Sequence, residues 1–272
     1  MSDPEKGPPT IGVFDSGFGG LTVLQSLLPR LPRARFAFIG DTARLPYGSK
    51  SRRTIARYAV ESAQFLVREQ GAEFLVIACN TASALALDAI QDAVPVPVLG
   101  VIEPGATAAR AASKTGDVLV IATDATVQSH AYATACKDQG LRALEKACPL
   151  LVPLVEEGWI NHPVTAEVIR IYLDELTTDA NAAGLNPDTL VLGCTHYPIL
   201  RGTIEQVVGG AVHIVDSAET TAETVKAALG QSAGVSNPAR RFLVTDAEER
   251  FRRIAGEFLE QEIEHLELVS LG

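Results

Sequence analysis

Two cysteines in matching surroundings are the residues of this chain best suited to chemistry. Phe74-Leu75-Val76-Ile77-Ala78-Cys79-Asn80-Thr81-Ala82-Ser83 is a short apolar run that stops at a cysteine and small polar residues. Thr189-Leu190-Val191-Leu192-Gly193-Cys194-Thr195-His196-Tyr197-Pro198 repeats the phrase. Each run is too short for a helix and has no polar face, which suits a buried strand of a parallel sheet. A helical pattern follows each: Ala84 to Ala93, capped by Thr81 or Ser83, and a segment from Pro198 to about Val208. Both thiols then stand at the carboxyl end of a strand beside a helix N-terminus. Ligands bind there in open α/β sheets, and there a thiolate is stabilised.

Three chemistries fit such residues. A metal site of Cys79, Cys194 and His196 would need four ligands for structural zinc or three and a water for catalytic zinc, and no paired spacing supports either, so no metal is expected. A nucleophilic thiol with His196 as base needs one cysteine and leaves the second unexplained. Proton transfer at carbon uses both: inversion of a stereocentre takes a proton from one face and delivers another to the opposite face. Thiols suit this, because their reference pKa of about 8.5 falls toward neutrality when helix N-termini help.

The elements that must position these residues alternate in type. Ile11 to Phe14 reads as a strand running into Asp15-Ser16-Gly17-Phe18-Gly19-Gly20 and a helix from Leu21 to Leu28. Backbone N–H groups opening a helix make an anion site, whereas Asp15 and Ser16 equally suit an Asx turn and N-cap. The spacing is not GxGxxG, so the dinucleotide fingerprint is absent. Arg35 to Ile39 leads into Asp41-Thr42-Ala43-Arg44-Leu45-Pro46-Tyr47-Gly48, where Tyr47-Gly48 offers a hydroxyl and an amide to a ligand or forms an ordinary turn. A helix spans about Arg52 to Gln70. Val96 to Val101 is the next strand. A domain crossing falls near Glu103-Pro104, before a helix from Gly105 to Ala112. Val118 to Ile121 then runs into Ala122-Thr123-Asp124. Asp15 to Cys79 spans 64 positions and Thr123 to Cys194 spans 71, an order that suggests internal duplication. Further on come a helix over Val164 to Leu176, a loop over Asp179 to Pro187, and a strand over Val212 to Val215. A helix over Ala218 to Leu229 and a linker over Gln231 to Asn237 precede strand, helix and strand. Such alternation argues for α/β architecture with mainly parallel sheets.

Composition narrows the field. The chain has 272 residues, is 47% hydrophobic and carries a formal net charge of −10, a length enough for one large domain or for two of ordinary size with their own cores. No basic run appears, which disfavours nucleic acid. The apolar stretches are strand-length, so no membrane span is expected. Met1 to Thr10 has no apolar core and reads as a disordered leader rather than a signal peptide. Cys136 in a helix and Cys148 in a loop read as buried, inert thiols, and four cysteines without a CxxC suit a reducing, cytoplasmic setting.

Asp15-Ser16-Gly17-x-Gly19-Gly20, Asp41-Thr42-Ala43-Arg44-x-Pro46-Tyr47-Gly48, Ala78-Cys79-Asn80-Thr81-Ala82-Ser83 and Gly193-Cys194-Thr195-His196-Tyr197-Pro198 resemble the four signature motifs of the glutamate racemases. Aspartate and hydantoin racemases share the two-cysteine plan but resemble the Asp-Ser-Gly and Pro-Tyr-Gly stretches less closely. One departure is Ala122-Thr123, where the family often has Gly-Thr. The resemblance implies a cofactor-independent racemase of L- and D-glutamate that supplies D-glutamate to peptidoglycan. It implies two similar α/β domains related by a pseudo-twofold axis, residues 1–101 with 217–272 and residues 102–216, with the site between them. By position, Cys79 acts on D-glutamate and Cys194 on L-glutamate. Asp15 assists Cys79, and His196 with Glu156 assists Cys194. Asp15, Ser16, Pro46, Tyr47, Gly48, Asn80, Thr81, Thr123, Thr195 and His196 contact substrate. Members pair in several ways, and a homodimer is the expected assembly. A two-lobed amino-acid-binding protein would fit the architecture but would need neither strand-end cysteine.

Overall fold

The computed structural model of the chain describes residues 9–230, 238–259, 263 and 265–271. The first half lays down β1 (Thr10–Asp15), α1 (Leu21–Arg30), β2 (Arg35–Gly40), α2 (Arg52–Arg68), β3 (Phe74–Ile77), α3 (Asn80–Ala93) and β4 (Val98–Gly100). After α4 (Ile102–Ala112), a second set follows: β5 (Asp117–Ala122), α5 (Asp124–Ser129), α6 (Ala131–Asp138), β6 (Arg142–Ala147), α7 (Leu151–Glu156), α8 (Pro163–Ala182), β7 (Thr189–Gly193), α9 (Arg201–Val208) and β8 (His213–Asp216). The chain closes with α10 (Ala218–Leu229), β9 (Arg240–Val244), α11 (Glu248–Leu259) and β10 (Leu266–Leu268).

Two sheets result, ordered β10-β9-β2-β1-β3-β4 and β6-β5-β7-β8, with every pairing parallel. The central strands are buried along their whole length, which is why they read as unbroken apolar runs. The β2-β1-β3-β4 core of the first sheet and the whole second sheet share one strand order. Each reverses direction at a central pair, β1/β3 and β5/β7. Ligand crevices in parallel sheets open at the carboxyl ends of such pairs. Asp15 ends β1 and Cys79 follows β3; Thr123 follows β5 and Cys194 follows β7. The C-terminal strands extend the first sheet beyond β2, and Phe18, Phe38 and Phe251 pack their rings 5.8–5.9 Å apart to seat α11 beneath the glycine loop.

Several boundaries differ from the sequence reading. Residues 1–8 of the expected leader and the linker over 231–237 lie outside the described residues, whereas Thr10 is already in β1. α3 begins at Asn80, because Cys79 itself is its N-cap: Ala82 N donates to its sulfur at 3.4 Å, so neither Thr81 nor Ser83 caps it. α8 runs on to Ala182, through part of the expected loop. The segment from Tyr197 to Leu200 is a 3-10 turn before α9. β6 had no sequence signal. Its Arg142, Glu145 and Lys146 meet Asp117, His130 and Glu175, the charge pattern of a sheet edge rather than of a half-buried strand.

Candidate active site

The strand ends of the two sheets face one another. Gly19, in the loop after β1, lies so close to the turn after β7 that a Cβ there would fall 2.2 Å from Thr195 Oγ1 and 2.7 Å from His196 Nδ1. Thr22 Oγ1 donates to the Thr195 carbonyl at 3.4 Å. Thr81 Oγ1 on α3 meets Thr123 and Thr126 Oγ1 at 3.0 and 3.2 Å. A Cβ at Gly48 would fall 2.8 Å from Thr123 Cβ. These contacts bring Asp15, Ser16, Gly48, Asn80, Thr81, Thr123, Thr195 and His196 around the two thiols.

The thiols are both buried, Cys79 at 4% and Cys194 at 6% exposure, and lie within electrostatic reach of each other. Cys79 Sγ donates to Ser16 Oγ at 3.3 Å. Burial pushes Cys79 up to about 12, with the Asp15 charge adding to it, and the bonds from Ser16 and Ala82 offset this only in part. The helix terminus is therefore not enough to bring this thiol toward neutrality in the free site: desolvation exceeds it. Asp15 is fully buried. Its Oδ2 accepts from Gly17 N at 2.9 Å, and its carboxyl is pushed up by burial against the pull of the His196 charge.

On the other side, Cys194 Sγ lies 3.9 Å from His196 Nδ1, and His196 Nε2 lies 3.3 Å from Glu156 Oε1. Glu156 at the end of α7 thus reaches the site, as the resemblance implied. Its second oxygen accepts from Arg250 at 3.2 Å, a residue of α11 that the sequence did not single out. Burial alone would lower the imidazole, but the Cys194 sulfur and the Glu156 carboxylate beside it exceed that effect and raise His196 from 6.5 to about 10. A histidine held above its unfolded value stabilises the fold fully below pH 6.5 and loses that contribution as the pH rises through about 10. Glu156→Gln is expected to bring the His196 titration, followed by imidazole NMR, back toward neutrality. An unmoved titration would contradict the pairing.

Two expected contacts are arranged differently. The Tyr47 hydroxyl is committed to Asp41, which also holds Arg44; Arg44 in turn reaches Glu61. Tyr47 is thus a buried strut, and Gly48 rather than the phenol lies beside Thr123. Pro46 is exposed, and its carbonyl accepts from Lys50 at 3.1 Å. The one arginine of the four motifs is thereby neutralised away from the thiols. Cys136 and Cys148 are buried, and burial pushes them up to about 11 and about 12, as suits inert thiols. Among the described residues no cluster of three His, Cys, Asp or Glu side chains could hold a metal, and no helix is long and apolar enough to cross a membrane.

Fold and site together define a two-sheet α/β protein with a pair of thiols buried where the strand ends of both sheets meet. A model of the Asp/Glu/hydantoin racemase family matches residues 20–225, and the chain belongs to that family. It is 50% identical to a glutamate racemase of Koribacter versatilis, over 97% of this chain and 98% of that one. The crystal structure of glutamate racemase from Francisella tularensis in complex with D-glutamate matches with a TM-score of 0.88 at 37% identity, covering 97% of this chain and 98% of that one. The enzyme from Thermus thermophilus, in complex with β-chloro-D-alanine, matches with a TM-score of 0.85 at 45% identity, covering 98% and 99%.

Proposed function

We propose that this chain interconverts L- and D-glutamate by passing the α-proton between Cys79 and Cys194, which address the substrate from opposite faces. The observation that carries this reading is the burial of one thiol from each sheet at a common junction. One thiol must act as base while the other acts as acid, and the roles exchange with direction. Cys194 takes the proton from L-glutamate and Cys79 takes it from D-glutamate. Asp15 serves Cys79 at its face, and His196, held by Glu156, serves Cys194 at the other.

The α-proton is far less acidic than a thiol, so the site must stabilise the developing carbanion in a water-poor space. Ser16, Asn80, Thr81, Thr123 and Thr195, with backbone amides near Gly48, supply neutral donors to the two carboxylates, since Arg44 is held by Asp41 and Glu61. The substrate ammonium brings positive charge beside both sulfurs and favours the thiolate. The reaction as written needs no cofactor. Residues 1–101 with 217–272 and residues 102–216 act as the two lobes. The D-glutamate formed in the cytoplasm enters peptidoglycan.

The test is a chiral assay of purified protein with L-glutamate, reductant present and pyridoxal phosphate and metal omitted. D-glutamate should accumulate to an equal mixture. Folded protein that converts neither enantiomer would overturn glutamate as substrate, and aspartate would be tried next.

A further inference from the structure

Asn80 follows one thiol and Gly193 precedes the other, and a single buried tyrosine touches both. Tyr132 on α6 is fully buried, and its hydroxyl donates to Asn80 Oδ1 at 2.6 Å. Its ring lies in a slot that two glycines leave open. A Cβ at Gly193 would fall 2.9 Å from Tyr132 Cε2, and one at Gly105 would fall 3.0 Å from both Cε1 and the hydroxyl.

We propose that Tyr132 is a positioning residue of this site: by occupying Asn80 Oδ1 it turns the Asn80 Nδ2 donor toward a substrate carboxylate and ties that donor to the strand carrying Cys194. The inference rests on the glutamate reading above. An amide has an acceptor end and a donor end on one rotatable bond, and a hydroxyl has a single proton. The phenol gives its one proton to Asn80, and only the oxygen end of the amide can receive it. Asn80 is 3% exposed, so bulk water does not take over when the phenol is lost. A free amide would then also present its oxygen to the carboxylate, which repels it.

Tyr132→Phe removes only the hydroxyl and keeps the ring in its slot. The expected result is an increase of about tenfold in KM, with kcat within about threefold, the signature of lost ground-state binding. The dissociation constant for racemic glutamate, read by calorimetry, should rise equally. In an Asn80→Ala background, adding Tyr132→Phe should change neither constant, because its target is gone. Unchanged constants in the single variant, or the same loss repeated in the Asn80→Ala background, would overturn the proposal. Should Tyr132→Phe not fold, Asn80→Asp keeps an acceptor for the phenol and removes the donor aimed at the substrate, and an increase of about tenfold in KM is expected; an unchanged KM would overturn it. Wild-type protein that does not racemise glutamate would instead sink the underlying reading.

Discussion

Cys79→Ala and Cys194→Ala are each expected to lose inversion of glutamate by at least about 10²–10⁴-fold, the contribution of a positioned acid or base. The loss should not come from unfolding. Each substitution removes one sulfur from a buried site at a cost of about 1–2 kcal/mol, small against a typical domain stability. The remaining thiol keeps its own chemistry. Cys194→Ala retains Cys79 with Ser16 and Asp15 about it, and is expected to exchange the α-hydrogen of D-glutamate with solvent while forming no L-glutamate. Cys79→Ala retains Cys194 with His196 and Glu156, and is expected to exchange L-glutamate alone. Proton NMR in D₂O with a chiral assay reads both outcomes. A single variant that inverts at the wild-type rate would sink the two-thiol scheme.

Gly19→Ala is expected to lower kcat/KM by about 10²-fold, the scale of a 1 Å misplacement in an active site. The added methyl would fall 2.2 Å from Thr195 Oγ1, 2.8 Å from Thr195 Cβ and 2.7 Å from His196 Nδ1. None of these is the free end of a long side chain, so the glycine loop and the Cys194 turn must separate. Gly17→Ala is the control. Its nearest neighbour is Leu45 Cδ2 at 3.5 Å, an ordinary contact, and activity should stay within about threefold of wild type. Comparable loss in both variants, at unchanged Tm, would show that the loop does not set the spacing between the two sides.

The parallel strands and the residues at their ends were legible because burial on both faces writes an uninterrupted apolar run that stops at the site. Cys79, Cys194 and Asp15 each stand at or just past such a stop. Glu156 follows the apolar run Leu151 to Val155, a pattern that suits a residue facing a site and a solvated helix start equally, and its role came from the family resemblance. β6 was not legible, because an edge strand carrying Arg142, Glu145 and Lys146 resembles a solvated segment. Arg250 and Tyr132 were missed for a different reason. Each lies in an unremarkable helix, far in sequence from the partner it touches, and only the packing of α11 and α6 against the site brings Arg250 to Glu156 and Tyr132 to Asn80. The motif leaves the Tyr47 hydroxyl open between a ligand group and an ordinary turn, and gives no sign that Asp41, six residues earlier, takes it. The expected acidity of Cys79 rested on the helix terminus alone, whereas burial reverses the balance.

The most direct test of the two-thiol account is the isotopic content of both enantiomers during the first few per cent of conversion of L-glutamate in D₂O. Two facing thiols remove the proton on one side and deliver a solvent-derived deuteron on the other. D-glutamate should therefore form fully deuterated at the α-carbon while the remaining L-glutamate keeps its hydrogen. D-glutamate that carries the original hydrogen, returned by a single base, would contradict the account.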